Sequence, residues 1–309
     1  MRIAIVGAGI SGLSCADRLL RRSHVVRLFD KGRGPGGRMS TRRVEVQGHT
    51  VSFDHGAQYF TVRDATFAQQ VDEWEQEGAV ARWLDAGRDA WVGVPGMNAP
   101  VKSMATRHEI AWATNITGLE RHAGTWALVG APGAGDFDAV IIAVPAEQAA
   151  SLLGRVQLCF ATAAESICSS PCWTAMVAFA NPLRTNLRVV RHWGAIGWAA
   201  RDGSKPGRGD QERWVVQAAP GWSSDHLECS AEEAAEQLLG LLQEALGESL
   251  PEPIHLSAHR WRYSRPNPTE SLNALWDSAV NIGVCGDWLI APRIESAWLS
   301  GQRLATLIG

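Results

Sequence analysis

The sequence predicts an α/β fold, α+β overall, with one domain of parallel strands and a second domain built on a mixed β-sheet. Three features predict it. The chain opens with a strand, a glycine turn, a helix and a second strand; a near-continuous apolar strand recurs at 138–144; and residues 173–218 hold β-like segments rich in Trp and Val. A chain of 309 residues has room for two such domains.

Residues 3–6 (Ile-Ala-Ile-Val) read as a buried strand, too short and too sharply ended by glycine for a helix. Gly7-Ala8-Gly9-Ile10-Ser11-Gly12 follows, and Leu13, Ala16, Leu19 and Leu20 then recur at helical spacing. Residues 25–29 form the next strand, which ends in Asp30. G-x-G-x-x-G between strand and helix lets bare backbone N–H groups meet a pyrophosphate at the positive end of the helix dipole. Asp30 stands where a carboxylate accepts ribose hydroxyls. This is a Rossmann-type site, and a dinucleotide binds there. A second glycine-rich run, Lys31 to Arg38 within a loop at 31–43, can bring backbone and a guanidinium to more of the diphosphate.

Farther on, 44–53 alternates like a hairpin, 64–84 has helical periodicity (Phe67, Val71, Trp74), and another helix lies near 98–107. The apolar strand at 138–144 suits burial on both faces of a sheet. Segments 173–180, 189–193 and 214–218 read as strands, broken by a polar, glycine-rich loop at 201–212. Ser230 and Glu233 have capping-box spacing at the head of a helix over 230–247. A strand at 280–285, a Gly286-Asp287 turn and a helix over 295–307 end the pattern.

Composition narrows the function. With 29 basic against 32 acidic residues the net charge is −3, which argues against nucleic acid as a partner. No apolar run approaches a membrane span, and the opening apolar run breaks at Gly7, unlike an export signal. The 6 cysteines include only a Cys168-x₃-Cys172 pair without a partner pair or nearby histidine, so no metal site is expected and a reducing, cytoplasmic setting is. The lysines are Lys31, Lys102 and Lys205, and the 2 tyrosines are Tyr59 and Tyr263.

The segments 5–13 and 30–39 resemble the FAD-binding N-terminus of the flavin amine oxidase superfamily. Phe53-Asp-His-Gly-Ala-Gln-Tyr-Phe-Thr61, Gly93-Val-Pro-Gly-Met97, His259-Arg-Trp-Arg-Tyr263, Cys285-Gly-Asp-Trp288 and Arg293-Ile-Glu-Ser-Ala-Trp-Leu-Ser-Gly301 extend the likeness to its renalase-like FAD-dependent oxidoreductases. The resemblance implies non-covalent FAD. Gly7, Ala8, Gly9, Ile10, Ser11 and Gly12 would hold the pyrophosphate, with Asp30 and Lys31 at the adenosine ribose. Gly37, Arg38 and Met39 would approach the flavin end, and Gly56, Ala57, Gln58 and Tyr59 would line the isoalloxazine. Ile116, Gly286, Asp287, Arg293, Ile294, Glu295 and Ala297 complete the implied cofactor set, with Asp287 at the ribityl chain or phosphate. The last helix would aim its positive end at the ring. Residues 1–60, 98–149 and 276–309 form the FAD-binding domain on this reading, and 61–97 and 150–275 the substrate domain.

Tyr59, His259, Trp261, Tyr263 and Trp288 are the substrate-pocket candidates; no side chain is singled out as catalytic. Alternation sets His259, Trp261 and Tyr263 on one strand face and Arg260 and Arg262 on the other. That face either lines a cavity or packs in a core. The resemblance implies oxidation of 2- and 6-dihydro isomers of NAD(P)H, with hydride passing to flavin N5 and then to O₂, giving NAD(P)⁺ and hydrogen peroxide. An FAD-dependent amine oxidase, which commonly places a lysine near N5 or uses a tyrosine pair, is the alternative. A non-catalytic flavin-binding protein and an NAD-dependent dehydrogenase are the others. The expected partners are the dihydronicotinamide dinucleotide and O₂, and the expected state is a monomer or homodimer.

Overall fold

The computed structural model describes residues 1–308; Gly309, the end of the segment 276–309, lies outside the described residues. A six-stranded sheet runs in the order Leu275–Asp277, Ile282–Val284, Ala139–Ile142, Arg2–Val6, Val25–Phe29, Glu109–Ala111. All neighbours are parallel except the edge strand Leu275–Asp277. Ile3 and Ile5 pack on one face with Leu13 and Leu19, while Ala4 and Val6 pack on the other with Trp126 and Ile142. Cover on both faces is why these strands read as unbroken apolar runs. The helix Ile10–Arg21 lies against the last helix, Ile294–Leu307, so closely that a Cβ at Gly301 would stand 2.2 Å from the Ser11 carbonyl oxygen.

A second sheet of five antiparallel strands runs Val189–Trp193, Ile196–Arg201, Arg213–Ala218, Ser170–Ala178, His255–Arg265. Side chains alternate across it. Trp173, Ala175, Val177, Trp214 and Val216 pack under the helix Ala231–Leu246 through Ala234, Leu238 and Leu242. Met176, Ala178 and Val215 turn the opposite way, onto Val46, Val51 and Phe53 of the hairpin Arg42–Val46/His49–Phe53. The hairpin turns at Gln47 and Gly48, both at positive φ (51° and 80°), the geometry a two-residue loop requires. The sheet's second face therefore looks toward the nucleotide domain, and the space between them is where a site can form.

One sequence expectation is corrected here. The helix expected over 64–84 ends at Gln76: Asp64 caps Ala65–Gln76 through the Thr66 and Phe67 amides, and Gly78, at φ 70°, turns the chain away. Val80–Arg82 then pairs with Trp91–Gly93. Phe67, Trp74, Trp83 and Trp91 share one core with Leu13 and Trp298, so 61–97 packs against the nucleotide domain. The loop expected at 201–212 is present between Arg201 and Arg213, and its charges face inward: Asp202, Lys205, Arg208 and Glu212 are all buried. The capping box at Ser230 and Glu233 is present, and Gly247 at φ 67° ends that helix. Among the described residues no helix is long and apolar enough to cross a membrane.

Candidate active site

The three glycines of the first loop have different physical causes. Gly7 sits at φ 106° with the Ala143 carbonyl oxygen 2.4 Å from where a Cβ would be, and a Cβ on Gly12 would lie 2.1 Å from the Gly7 oxygen. Packing dictates both. Gly9 has φ −75° and ψ 178°, which any residue adopts, so it needs no positive φ. A Cβ there would meet nothing within 4 Å. Packing alone thus gives no reason for glycine at this position, whereas a diphosphate over it does. Other features agree. The Ser11 hydroxyl is buried without a partner, and the helix behind it carries no side-chain cap and no acid in its first turn, which leaves its amides for an anion. A Cβ on Gly37 of the second glycine loop would lie 3.8 Å from the Gly9 Cα. Asp30 accepts from the Ala8 and Gly32 amides, both at 2.7 Å, and so stands at the lip of the loop. These residues fit a dinucleotide.

The second loop is stitched to the segment 54–59. Ala57 donates to the Arg38 carbonyl at 2.8 Å, and a Cβ on Gly56 would collide with the same oxygen at 2.1 Å. The Arg38 guanidinium forks onto Asp287 (2.8 and 2.5 Å), joining two residues expected at the cofactor from opposite ends of the chain. The helix at Ile294 also begins without a side-chain cap, and the Ser296 hydroxyl is buried and unpartnered.

Beneath this segment lies a buried charge cluster that sequence reading missed. Asp54, fully buried, accepts from Thr41 Oγ1 (2.7 Å), the Met97 amide (2.8 Å), Arg208 (2.5 and 3.1 Å) and Lys205 (3.3 Å). Lys205 also reaches Asp202 at 2.7 Å and Gln58 Oε1 at 3.1 Å. Burial by itself would raise the Asp54 carboxyl, but Lys205, Arg208 and the Met97 amide hold it well below the usual carboxylate range. The Gln58 side chain, expected at the ring, is turned onto Lys205 and the Asp54 and Gly56 carbonyls, so backbone is what this stretch presents.

The open face of the five-stranded sheet meets the other side of this segment. The His55 ring lies 5.1 Å from both His259 and Trp261, Trp261 donates to the His55 carbonyl at 2.9 Å, and Gln217 donates to the Gly56 carbonyl at 2.7 Å. Tyr59 packs on Trp198 at 5.1 Å. Arg260 and Arg262 both reach Glu228 on the opposite face, as alternation requires. Burial, with His259 and Arg42 nearby, pushes His55 down to about 3; burial and Arg42 push His259 down to about 4. Both rings are neutral near pH 7. A folded value below the ordinary 6.5 means the stability they confer is complete above about 6.5 and is lost as pH falls toward about 4. Urea midpoints measured from about pH 7 to about pH 4 should therefore decline, and His55→Asn should flatten the decline. An unchanged slope in that variant would contradict the assignment.

A family model described as flavin-containing amine oxidoreductase matches residues 76–309, and one for an NAD(P)-binding Rossmann-like domain matches residues 5–73. The chain belongs to the flavin-containing amine oxidoreductase family. It is an FAD-dependent oxidoreductase with a renalase-like sequence. Renalase of Mus musculus is 23% identical over 296 residues, which cover 85% of each chain. A protein described as a protoporphyrinogen oxidase from Exiguobacterium sp. is similar in structure, with TM-score 0.76 and 14% identity over 99% of this chain and 98% of that one. Putrescine oxidase bound to putrescine is similar too, at TM-score 0.66 and 12% identity over 100% and 99%. These two likenesses show the shared fold alone.

Within this flavin-containing amine oxidoreductase some expected site residues have other work. Trp288 is 1% exposed, donates to the Val144 carbonyl at 3.2 Å and packs in the nucleotide-domain core; the small cavity it borders is lined by Ile167, Leu272 and Leu289, none of them a residue expected at the cofactor or substrate. Glu295 accepts from the Arg63 and Asp64 amides (2.6 and 2.7 Å), so its buried carboxylate anchors the start of the helix Ala65–Gln76. Ile116 is buried in the core beside Phe29; Lys31, by contrast, is exposed with no bonded partner among the described residues, so no other contact takes it from the role expected of it. Tyr263 lines a surface cleft of about 390 Å³ with Pro171 and Cys168, apart from Tyr59 against Trp198.

Proposed function

We propose that this flavoprotein oxidises 2- and 6-dihydro isomers of NAD(P)H to NAD(P)⁺, with O₂ and one proton giving hydrogen peroxide. The observation that carries the reading is the renalase likeness along 85% of the chain. FAD, when bound, supplies the hydride acceptor at N5 and delivers the electrons to oxygen. Gly7–Gly12, Asp30, Gly37, Arg38 and Asp287 would hold it without a covalent bond; the thiol of Cys285 is buried against Cys15 and turned to no cofactor segment. The backbone of Gly56 and Ala57 would face the ring.

The side chains around the segment 55–59 suit a reaction that asks them for positioning and not for a base. A dihydropyridine becomes an aromatic pyridinium when its hydride leaves, so no side chain has to remove a proton first. Tyr59, His259 and Trp261 can hold a flat ring in near-attack geometry. His259, whose Nδ1 accepts from Arg42 at 3.3 Å, keeps its proton on Nε2 and acts as a neutral donor. Amine oxidation fits less well. The two tyrosines form no pair, and Lys205, though close to Gln58, is fully buried and bonded to Asp54, Asp202 and Gln58. Anaerobic bleaching of the bound flavin by borohydride-treated NAD, which contains the isomers, against pure 4-dihydro NADH tests the proposal. Bleaching by the mixture should be much faster, and equal bleaching would contradict it.

A further inference from the structure

We propose that Arg42, with Arg33 beside it and the His255 and His259 rings around it, forms an anion subsite that takes a phosphate of the dinucleotide substrate. The inference rests on the substrate reading above. Arg42 opens the hairpin strand opposite Phe53, whose ring lies 5.5 Å from His255. Its Nη2 meets His259 Nδ1 at 3.3 Å, and no carboxylate lies within 4.0 Å of it among the described residues. The titratable groups electrostatically linked to Arg42 are the Arg33 guanidinium and the imidazoles of His55, His255 and His259, without an acid among them. Arg42 is half-buried, and that burial lowers its pKa.

Most other arginines withdrawn from solvent are paired otherwise. Arg27, Arg38, Arg201, Arg208, Arg213, Arg260 and Arg293 each meet a carboxylate, and Arg18 meets the neutral side-chain oxygen Oε1 of Gln302 at 3.3 Å. A guanidinium held half out of water by an imidazole nitrogen alone lacks the counter-charge that offsets its desolvation. A phosphate supplies it, through the paired oxygens that a guanidinium fork matches. The location agrees: Arg42 flanks His259, which contacts Trp261 at 4.6 Å on the sheet face turned toward Gly56. FAD carries a diphosphate as well, but the Gly7–Gly12 loop already offers that cofactor a phosphate cradle.

Arg42→Met and wild type are compared as purified holoenzymes. FAD content is read after acid release. Half-saturation is read by anaerobic bleaching with borohydride-treated NAD and with borohydride-treated nicotinamide riboside, which has no phosphate. The expected result is full FAD content and a rise of about tenfold or more in half-saturation, confined to the NAD mixture, with Arg42→Lys recovering part of it. A rise common to both mixtures, or none, overturns the subsite; so does loss of FAD, which assigns Arg42 to the cofactor. Tryptophan quenching by ADP-ribose separates this inference from the substrate reading. Weakened ADP-ribose binding in Arg42→Met upholds the subsite even if the isomers prove inert, and equal binding overturns it.

Discussion

Asp54→Ala should cost about 3–5 kcal/mol of stability and leave the purified protein poor in FAD. The substitution strands the wholly buried Arg208 without its carboxylate and leaves the equally buried Lys205 with Asp202 alone. It also frees the Met97 amide and Thr41 hydroxyl, which fix the approach to the segment 56–59. Removing one partner of a buried ion pair is far more damaging than replacing the pair, because an uncompensated charge remains. Asp54→Ala combined with Lys205→Met should therefore lose less than the sum of the single variants. Because the Asp54 carboxyl is held below its ordinary 3.8, its contribution is complete above that value and is lost as pH falls below it. Urea unfolding near neutral pH checks the magnitude. A loss below about 1 kcal/mol would show that the cluster does not hold this segment.

Gly9→Val should fold like the wild type and lose nearly all its FAD. The two halves of that outcome come from different facts. Valine is compatible with φ −75° and ψ 178°, and its Cβ would meet no protein atom within 4 Å, so the native fold has no objection. The same open space is where backbone must approach a diphosphate, and a branched side chain fills it. Gly12→Val behaves differently, since its Cβ would press on the Gly7 oxygen at 2.1 Å and damage the fold itself. Flavin absorbance of acid-released FAD per mole of protein, alongside circular dichroism, separates the cases. A Gly9→Val protein with full flavin content would move the phosphate site elsewhere.

Much of this was legible in the residues. The strands Arg2–Val6, Val25–Phe29 and Val189–Trp193 and the last helix declare themselves through apolar runs, glycine stops and 3.6-residue spacing. Alternation correctly sorted Arg260 and Arg262 from His259 and Trp261. The charge cluster was hidden because its partners are far apart in sequence: Lys205 and Arg208 stand 151 and 154 positions from Asp54. Composition at 201–212 looks like solvated loop, and only folding shows that its charges neutralise one another. The available signal was the Phe53-Asp-His-Gly run itself, an acid between an apolar strand and a glycine. Trp288 shows a different limit: beside Gly286-Asp287 it looks like a ring contact, and only folding shows it packed among the nucleotide-domain core residues.

The most direct test of the central claim is anaerobic stopped-flow reduction of the bound flavin by the separated 2-, 4- and 6-dihydro isomers of NADH, with benzylamine as an amine control. A pocket that fixes the nicotinamide ring against a flavin also fixes which ring carbon can deliver hydride, and a misplacement of ~1 Å can cost on the order of 10²-fold in rate. Fast bleaching by the 2- and 6-dihydro forms, with the 4-dihydro form slower by about that factor, is the expected result. Equal rates for all three isomers, or fast bleaching by benzylamine and none by the isomers, would contradict it.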